Sequence, residues 1–289
     1  MAGWTLGIIG GSGLYDIEGL EDRATLRVDS PFGAPSGDLT TGRIGNTRLV
    51  FLPRHGPGHA IPPGEINARA NIDVLKRAGC TDILSLSAVG SLREDLPPGT
   101  FLAVDQYIDR TVGRASSFFG TGLVAHVSMA DPVCPRLSAL AAAAAREAGA
   151  RVVEGGTHLV MEGPQFSTRA ESELYRFWGC AVIGMTNMPE AKLAREAELP
   201  YASIGMVTDY DCWRTGEDAV EVGQILAVLQ ANADRARMLV RRLAEALPAE
   251  RPASPIDTGL DGAIITAPSA RDPAMMAKLG AVAGRALGA

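Results

Sequence analysis

Tyr201-Ala202-Ser203-Ile204-Gly205-Met206-Val207-Thr208-Asp209-Tyr210-Asp211-Cys212-Trp213 is an apolar run that gives out on two aspartates separated by one residue. The run reads as a β-strand. A strand alternates its faces with period two, so both carboxyl groups can point to the same side at its end. In open α/β folds that end is where ligands lie. Paired acids there could hold a metal, run acid/base chemistry, or read a ligand that offers donors. An exocyclic amine beside a ring nitrogen, the edge that adenine presents, suits the third use.

Outward from this stretch the same short apolar runs recur at 6–9, 49–52, 83–88, 101–104, 158–161 and 181–184. Patterns of helical period fall between or after several of them, at 67–78, 136–148, 169–177, 190–198 and 219 to about 247. Strands alternating with helices predict an α/β fold with some parallel pairing. The gap from Gly10 to Arg48 and the Gly/Pro-rich stretch 56–64 read as functional loops. No composition break precedes Pro248, so a single catalytic domain is expected over 1–248. Residues 249–289 form an extension with too weak a pattern to assign structure.

A hydrophobic content of 46% over 289 residues is ample for a large core. The net charge of −6 argues against nucleic acid or an anionic membrane as partner, so any bound anion needs a local positive pocket. Cys80, Cys134, Cys180 and Cys212 are scattered without CxxC or nearby histidine spacing, and read as reduced, mostly buried thiols. Neither a signal peptide nor a run of roughly 20 apolar residues is found, so a cytoplasmic location is expected.

Four further segments have site-like chemistry. Gly7-Ile8-Ile9-Gly10-Gly11-Ser12-Gly13 runs a strand into glycines, where bare backbone N–H groups and Ser12 can meet an anion. It is not a dinucleotide fingerprint, because Asp16 stands where GxGxxG needs a small residue; a simple tight turn is the competing reading. Arg54-His55 follows the run 49–52, and arginine suits forked recognition of phosphate while histidine can donate a further bond. Ser87-Ala88-Val89-Gly90-Ser91 is another strand emptying into small residues. In Met161-Glu162-Gly163-Pro164-Gln165-Phe166, Phe166 offers a ring face to a planar ligand and Glu162 can accept from sugar hydroxyls. Met185-Thr186 ends a strand; Val222, Ile225 and Leu226 make an apolar helix patch; His126 stands alone. Each of these also has an ordinary structural reading.

In combination the blocks GIIGGSGLYD, DSPFGAPS, LPRHG, SAVGSLRE, DQYIDRT, EGPQFSTRAE, MTNMPEA and TDYDCW strongly resemble the trimeric purine nucleoside phosphorylase family, over roughly Leu6 to Leu226. The resemblance implies a single α/β domain with a central mixed, partly barrel-like sheet flanked by helices. It also implies phosphorolysis of S-methyl-5'-thioadenosine to adenine and 5-methylthioribose 1-phosphate, in purine and methionine salvage. Inorganic phosphate would be co-substrate, with no metal and no organic cofactor. By the family's motifs Ser12, Arg54, His55, Ser87, Ala88 and Thr186 would hold phosphate, and Phe166 and Met185 would contact sugar and base. Asp209 and Asp211 would read the purine, Val222, Ile225 and Leu226 would wall the methylthio pocket, and His126 would reach in from a neighbouring subunit of a homotrimer or dimer of trimers. Of these groups Asp209, Asp211 and His55 are the expected catalytic ones. Family members that take 6-oxopurines tend to carry Asn where this chain has Asp209, which favours the amino base. A 6-oxopurine or methylthioinosine phosphorylase is the near alternative. A metal-dependent nucleoside hydrolase, an NAD-dependent oxidoreductase and a non-catalytic nucleoside binder are more distant ones.

Overall fold

β1 (Thr5–Gly10) runs parallel to β4 (Thr47–Pro53) on one side and to β5 (Asp82–Ser91) on the other. These are the chain's most continuous apolar runs, and a parallel strand needs cover on both faces. Ile8 and Phe51 enter one helix layer; Ile9, Val50 and Leu52 enter the other. The structure is a computed structural model that describes residues 3–11, 14, 16–214 and 222–288, with side chains from residue 227 onward in the last stretch.

Beyond β4 the sheet continues antiparallel through β3 (Leu39–Ile44) to an edge strand, β2 (Glu21–Leu26). Both lie in the stretch 10–48 that the sequence reads as a loop. An edge strand with one neighbour can be polar on both faces. Glu21 to Thr25 are all exposed, so no alternation marks them.

On the far side the sheet forks at β5. Its upper end pairs with β10 (Val182–Gly184), followed by β9 (Thr157–Met161) and β7 (Gln106–Arg110). Its other edge takes β11 (Tyr201–Tyr210) in parallel, followed by β6 (Thr100–Ala103) and β8 (Arg151–Glu154). The branches curl toward one another, bringing the Tyr107 hydroxyl on β7 within 2.5 Å of Ser203 Oγ on β11. The mixed sheet flanked by helices is the fold class expected.

α1 (Ala68–Arg77) and α4 (Glu190–Glu196) cover one face; α2 (Pro135–Glu147) and α5 (Val222–Ala246) cover the other. Asn67 caps α1 by accepting from Ala70 N–H. α3 (Arg169–Phe177) opens with a reciprocal Thr168–Glu171 capping box. Among the described residues no helix is long and apolar enough to cross a membrane.

Past residue 248 the chain folds back onto the α1 face through α6 (Pro273–Lys278) and α7 (Gly280–Leu287). Leu260, Leu279 and Val282 are buried in the same core layer as α1, each worth about 1.5–3 kcal/mol. Backbone bonds tie this segment to the stretch before α2: His126 N–H to Ala263 O at 2.9 Å, Ile265 N–H to Val124 O and Asp272 N–H to Gly122 O, both at 3.0 Å. Arg285 grips Glu198 at 2.5 Å, and Arg251 bridges the buried Asp82 and Asp257.

Candidate active site

β11 and β5 pair in regular register up to Val207 opposite Val89; then Asp209 is opposite Gly90. Thr208 is the extra residue of a β-bulge, a device that re-aims side chains. In an unbroken strand Asp209 would share the side of Val207, which is fully buried. The bulge turns it instead over Gly90. A Cβ there would sit 3.5 Å from Asp209 Oδ2 and 3.6 Å from Asp211 Cβ, so both acids border the bare backbone of Gly90 at contact distance. Asp209 and Asp211 both follow the bulge, so alternation puts them on one side and the bulge decides which side that is.

Burial raises the pKa of Asp209; the Asp211 charge pushes the same way, against a hydrogen bond from Thr208 Oγ1 at 2.6 Å. Asp211 is fixed by its N–H to Ser91 O at 3.0 Å and lies 3.4 Å from Ser167 Oγ. The pair presents one carboxyl that keeps its proton beyond the usual range beside a second carboxyl.

Three residues earlier on β5 is the polar cluster. Thr186, just past β10, has its Oγ1 2.8 Å from Ser87 Oγ and 3.1 Å from Asn187 Oδ1. Arg54, just past β4, is 2% exposed and donates from Nη1 to Leu86 O at 3.0 Å. Arg54, Met185, Thr186, Asn187 and Glu190 line one small pocket. Ala88 is exposed on β5 beside Ser87. Strands β1, β4 and β5, with the end of β10, thus bring Arg54, Ser87, Ala88 and Thr186 together.

Arg54 departs from the expectation in one respect. Its fork is engaged by Glu190, with Nε to Oε1 at 2.6 Å and Nη2 to Oε2 at 3.3 Å, while Nη2 also meets Ser85 Oγ at 2.5 Å. A guanidinium has five N–H donors. Nε, both Nη2 hydrogens and one Nη1 hydrogen are thus engaged within the chain, and the fork that the sequence assigns to an anion is taken by Glu190. Burial pushes Glu190 up, but Arg54 and the hydroxyls of Tyr201 and Ser85 outweigh it and leave the carboxyl below its ordinary range. His55 stacks face to face on His59 with ring centroids 4.0 Å apart, and its Nδ1 lies 3.0 Å from Ile61 O. A carbonyl only accepts, so Nδ1 carries hydrogen. Burial depresses the His55 pKa, and Arg54 and His59 add to this.

Glu162 is engaged within the chain. Its carboxylate accepts from the N–H groups of Val112 and Gly113 and from Arg114 Nε at 3.0 Å. Arg114 also donates to Met185 O at 2.8 Å and Met188 O at 2.9 Å, clamping the strand end that bears Thr186. Met185 is packed against Gly163, which has φ +69°; a Cβ there would meet Met185 Sδ at 2.4 Å. Gly163→Ala is expected to displace Met185 and cost about 1–3 kcal/mol. Denaturant unfolding measures this, and an unchanged midpoint would count against the contact.

Phe166, on the turn before α3, is 84% exposed, and His126 is exposed on the stretch tied to the C-terminal segment. Neither joins the cluster within one chain. Ser12 and the side chains of Val222, Ile225 and Leu226 lie outside the described residues; the backbone of the last three belongs to α5. All four cysteines are free, with Cys212 exposed and the others buried. Among the described residues no three His, Cys, Asp or Glu side chains form a metal-binding group. Glu190, Asn187 and Arg114 are the site residues that sequence reasoning missed. Their signal was the adjacency of MTNMPEA to Thr186, and the arginine four residues past the end of β7.

A sequence profile of the phosphorylase superfamily matches residues 5–245. The chain is 60% identical over 284 residues to an S-methyl-5'-thioadenosine phosphorylase of Bradyrhizobium diazoefficiens, covering 98% of each chain. It is 57% identical to the protein of the same name from Rhodospirillum rubrum, covering 98% of this chain and 97% of that one. Among solved structures, a methylthioadenosine phosphorylase from an Antarctic soil metagenomic library superposes with a TM-score of 0.93 at 42% identity, over 98% of this chain and 99% of that one. An S12T mutant of the adenosine/methylthioadenosine phosphorylase of Schistosoma mansoni, in complex with methylthioadenosine, superposes with a TM-score of 0.80 at 38% identity, over 86% and 93%.

Proposed function

The chain belongs to the phosphorylase superfamily, and we infer that it cleaves S-methyl-5'-thioadenosine with inorganic phosphate, giving adenine and 5-methylthioribose 1-phosphate. One observation carries the reading. Ser87 of the hydroxyl–guanidinium cluster and Gly90 beneath the two acids are three residues apart on one strand. That is roughly 10 Å at a strand's rise per residue, the scale of a nucleoside with phosphate under its ribose.

Phosphate rests against the Ser87 and Thr186 hydroxyls and the second Nη1 hydrogen of Arg54, with His55 and Ser12 completing the cradle. Breaking the glycosidic bond builds positive charge on the ribose ring. The bound anion is both nucleophile and counter-charge, and the cradle holds it in place for attack. Adenine leaves poorly as an anion. Asp209, whose burial favours the protonated form, supplies a proton or strong hydrogen bond to N7, and Asp211 accepts from the 6-amino group. A 6-oxopurine would set an oxygen against Asp211, a mismatch of about 1–3 kcal/mol. Met185 and Phe166 contact sugar and base. The exposure of His126 supports its use by a neighbouring copy in a homotrimer or dimer of trimers. The phosphate anion supplies the nucleophile without an organic cofactor.

The test is base release across a phosphate titration: adenine from methylthioadenosine and adenosine, hypoxanthine from inosine. Cleavage should require phosphate. Adenosine should trail methylthioadenosine by roughly 10- to 200-fold, the range of pocket preferences for small apolar groups. Adenine release undiminished without phosphate would overturn the reading.

A further inference from the structure

Glu190 is buried beside Arg54, and its carboxylate receives four donors. Arg54 Nε reaches Oε1; Arg54 Nη2, Ser85 Oγ at 3.1 Å and the Tyr201 hydroxyl at 3.1 Å reach Oε2. One donor is on Oε1 and three crowd Oε2, so the carboxylate is held chiefly through Oε2. Tyr201 in turn accepts from Asn187 Nδ2 at 2.7 Å, and Asn187 Oδ1 stands 3.1 Å from Thr186 Oγ1. Asn187 Nδ2 also meets Ser85 Oγ at 3.0 Å. A continuous polar path therefore joins Arg54 to Thr186 beneath the cradle, and its members Arg54, Ser85, Asn187, Glu190 and Tyr201 are all buried. Leu86 O and Ser85 Oγ also hold Nη1 and Nη2, but Glu190 is the acceptor for Nε and carries the opposing charge, so its loss removes the fork's ion pair.

We propose that Glu190 is a positioning residue for orthophosphate: its fork fixes the rotation of Arg54, and the Tyr201–Asn187 relay sets the Thr186 hydroxyl to the same frame. This rests on the phosphorolysis reading. Glu190 touches neither substrate. Its effect belongs to the phosphate side of the reaction, because the path ends in the cradle and does not reach Asp209 or Asp211.

The variants Glu190→Gln, Glu190→Asp and Tyr201→Phe test it, with KM for phosphate and KM for methylthioadenosine measured separately at saturating partner. Glutamine turns one accepting position into a donor facing Arg54. Its phosphate KM should rise about 10- to 100-fold, the scale reported for outer partners of ligand-holding side chains, with nucleoside KM within about threefold of wild type. Aspartate restores the acceptors on a shorter stem and should recover part of the loss. Tyr201→Phe removes one donor to Oε2 and should raise phosphate KM about 2- to 10-fold; it decides the matter alone if Glu190→Gln does not fold. An unchanged phosphate KM in the folded variants, or equal rises in both KM values, overturns the proposal. That result differs from failure of the parent reading, in which the wild-type protein itself needs no phosphate.

Discussion

Asp209→Asn lowers turnover of methylthioadenosine about 100- to 1,000-fold and leaves its binding within a few-fold, the expected size for losing a positioned proton donor. Asparagine keeps the shape and can still donate a hydrogen bond from its amide, so the purine stays seated. What it cannot do is release a proton to the departing base. The pH profile separates the two roles. Burial and the Asp211 charge raise the Asp209 pKa, so the competent protonated form persists above the ordinary aspartate range and is lost as pH rises through the raised value. Wild-type turnover should fall on that alkaline side, and the Asp209→Asn variant should lose that limb. Undiminished turnover in the variant removes Asp209 from the proton-donor role.

Arg54→Ala strikes phosphate use and stability together. Truncation strands Glu190 as a buried carboxylate with one partner gone; breaking a buried pair from one side costs about 3–5 kcal/mol. A thermal melt should show that loss. Removing Glu190 as well should return part of it, since the double variant leaves no lone charge. In whatever fraction stays folded, phosphate KM should rise by about two orders of magnitude, as a charge-assisted bond of about 1.5–3 kcal/mol is removed along with its alignment. An Arg54→Ala protein with wild-type phosphate KM would put Arg54 outside the cradle.

The parallel frame was legible because its strands are buried on both sides and announce themselves as apolar runs. β2 and β3 were not, because an edge can be polar everywhere and Glu21-Asp22-Arg23 looks like loop. Asp209 and Asp211 were found by their spacing, but the bulge at Thr208 has no sequence mark. It shows only in register, where two residues oppose Gly90. Arg54 is expected to meet phosphate from its type and place; that Glu190 holds its fork is hidden. Pro189-Glu190 reads as an ordinary helix start, where proline and an acid are both favoured. The partner lies 136 residues away in sequence. For Glu162 the motif suggests a ligand, and the bond from Arg114, 48 residues away, has no local mark.

The C-terminal segment bears on how the protein is born. Leu279 and Val282 close the layer that α1 opens, and Arg251 holds the Asp82 that begins β5. Synthesis proceeds from the other end, and domains fold as units as they emerge. Here the nascent chain carries an unsealed apolar face until Leu279 and Val282 have been made. Closure of the α1 layer is therefore a late step of synthesis, and the half-made sheet must wait for it with that face bare.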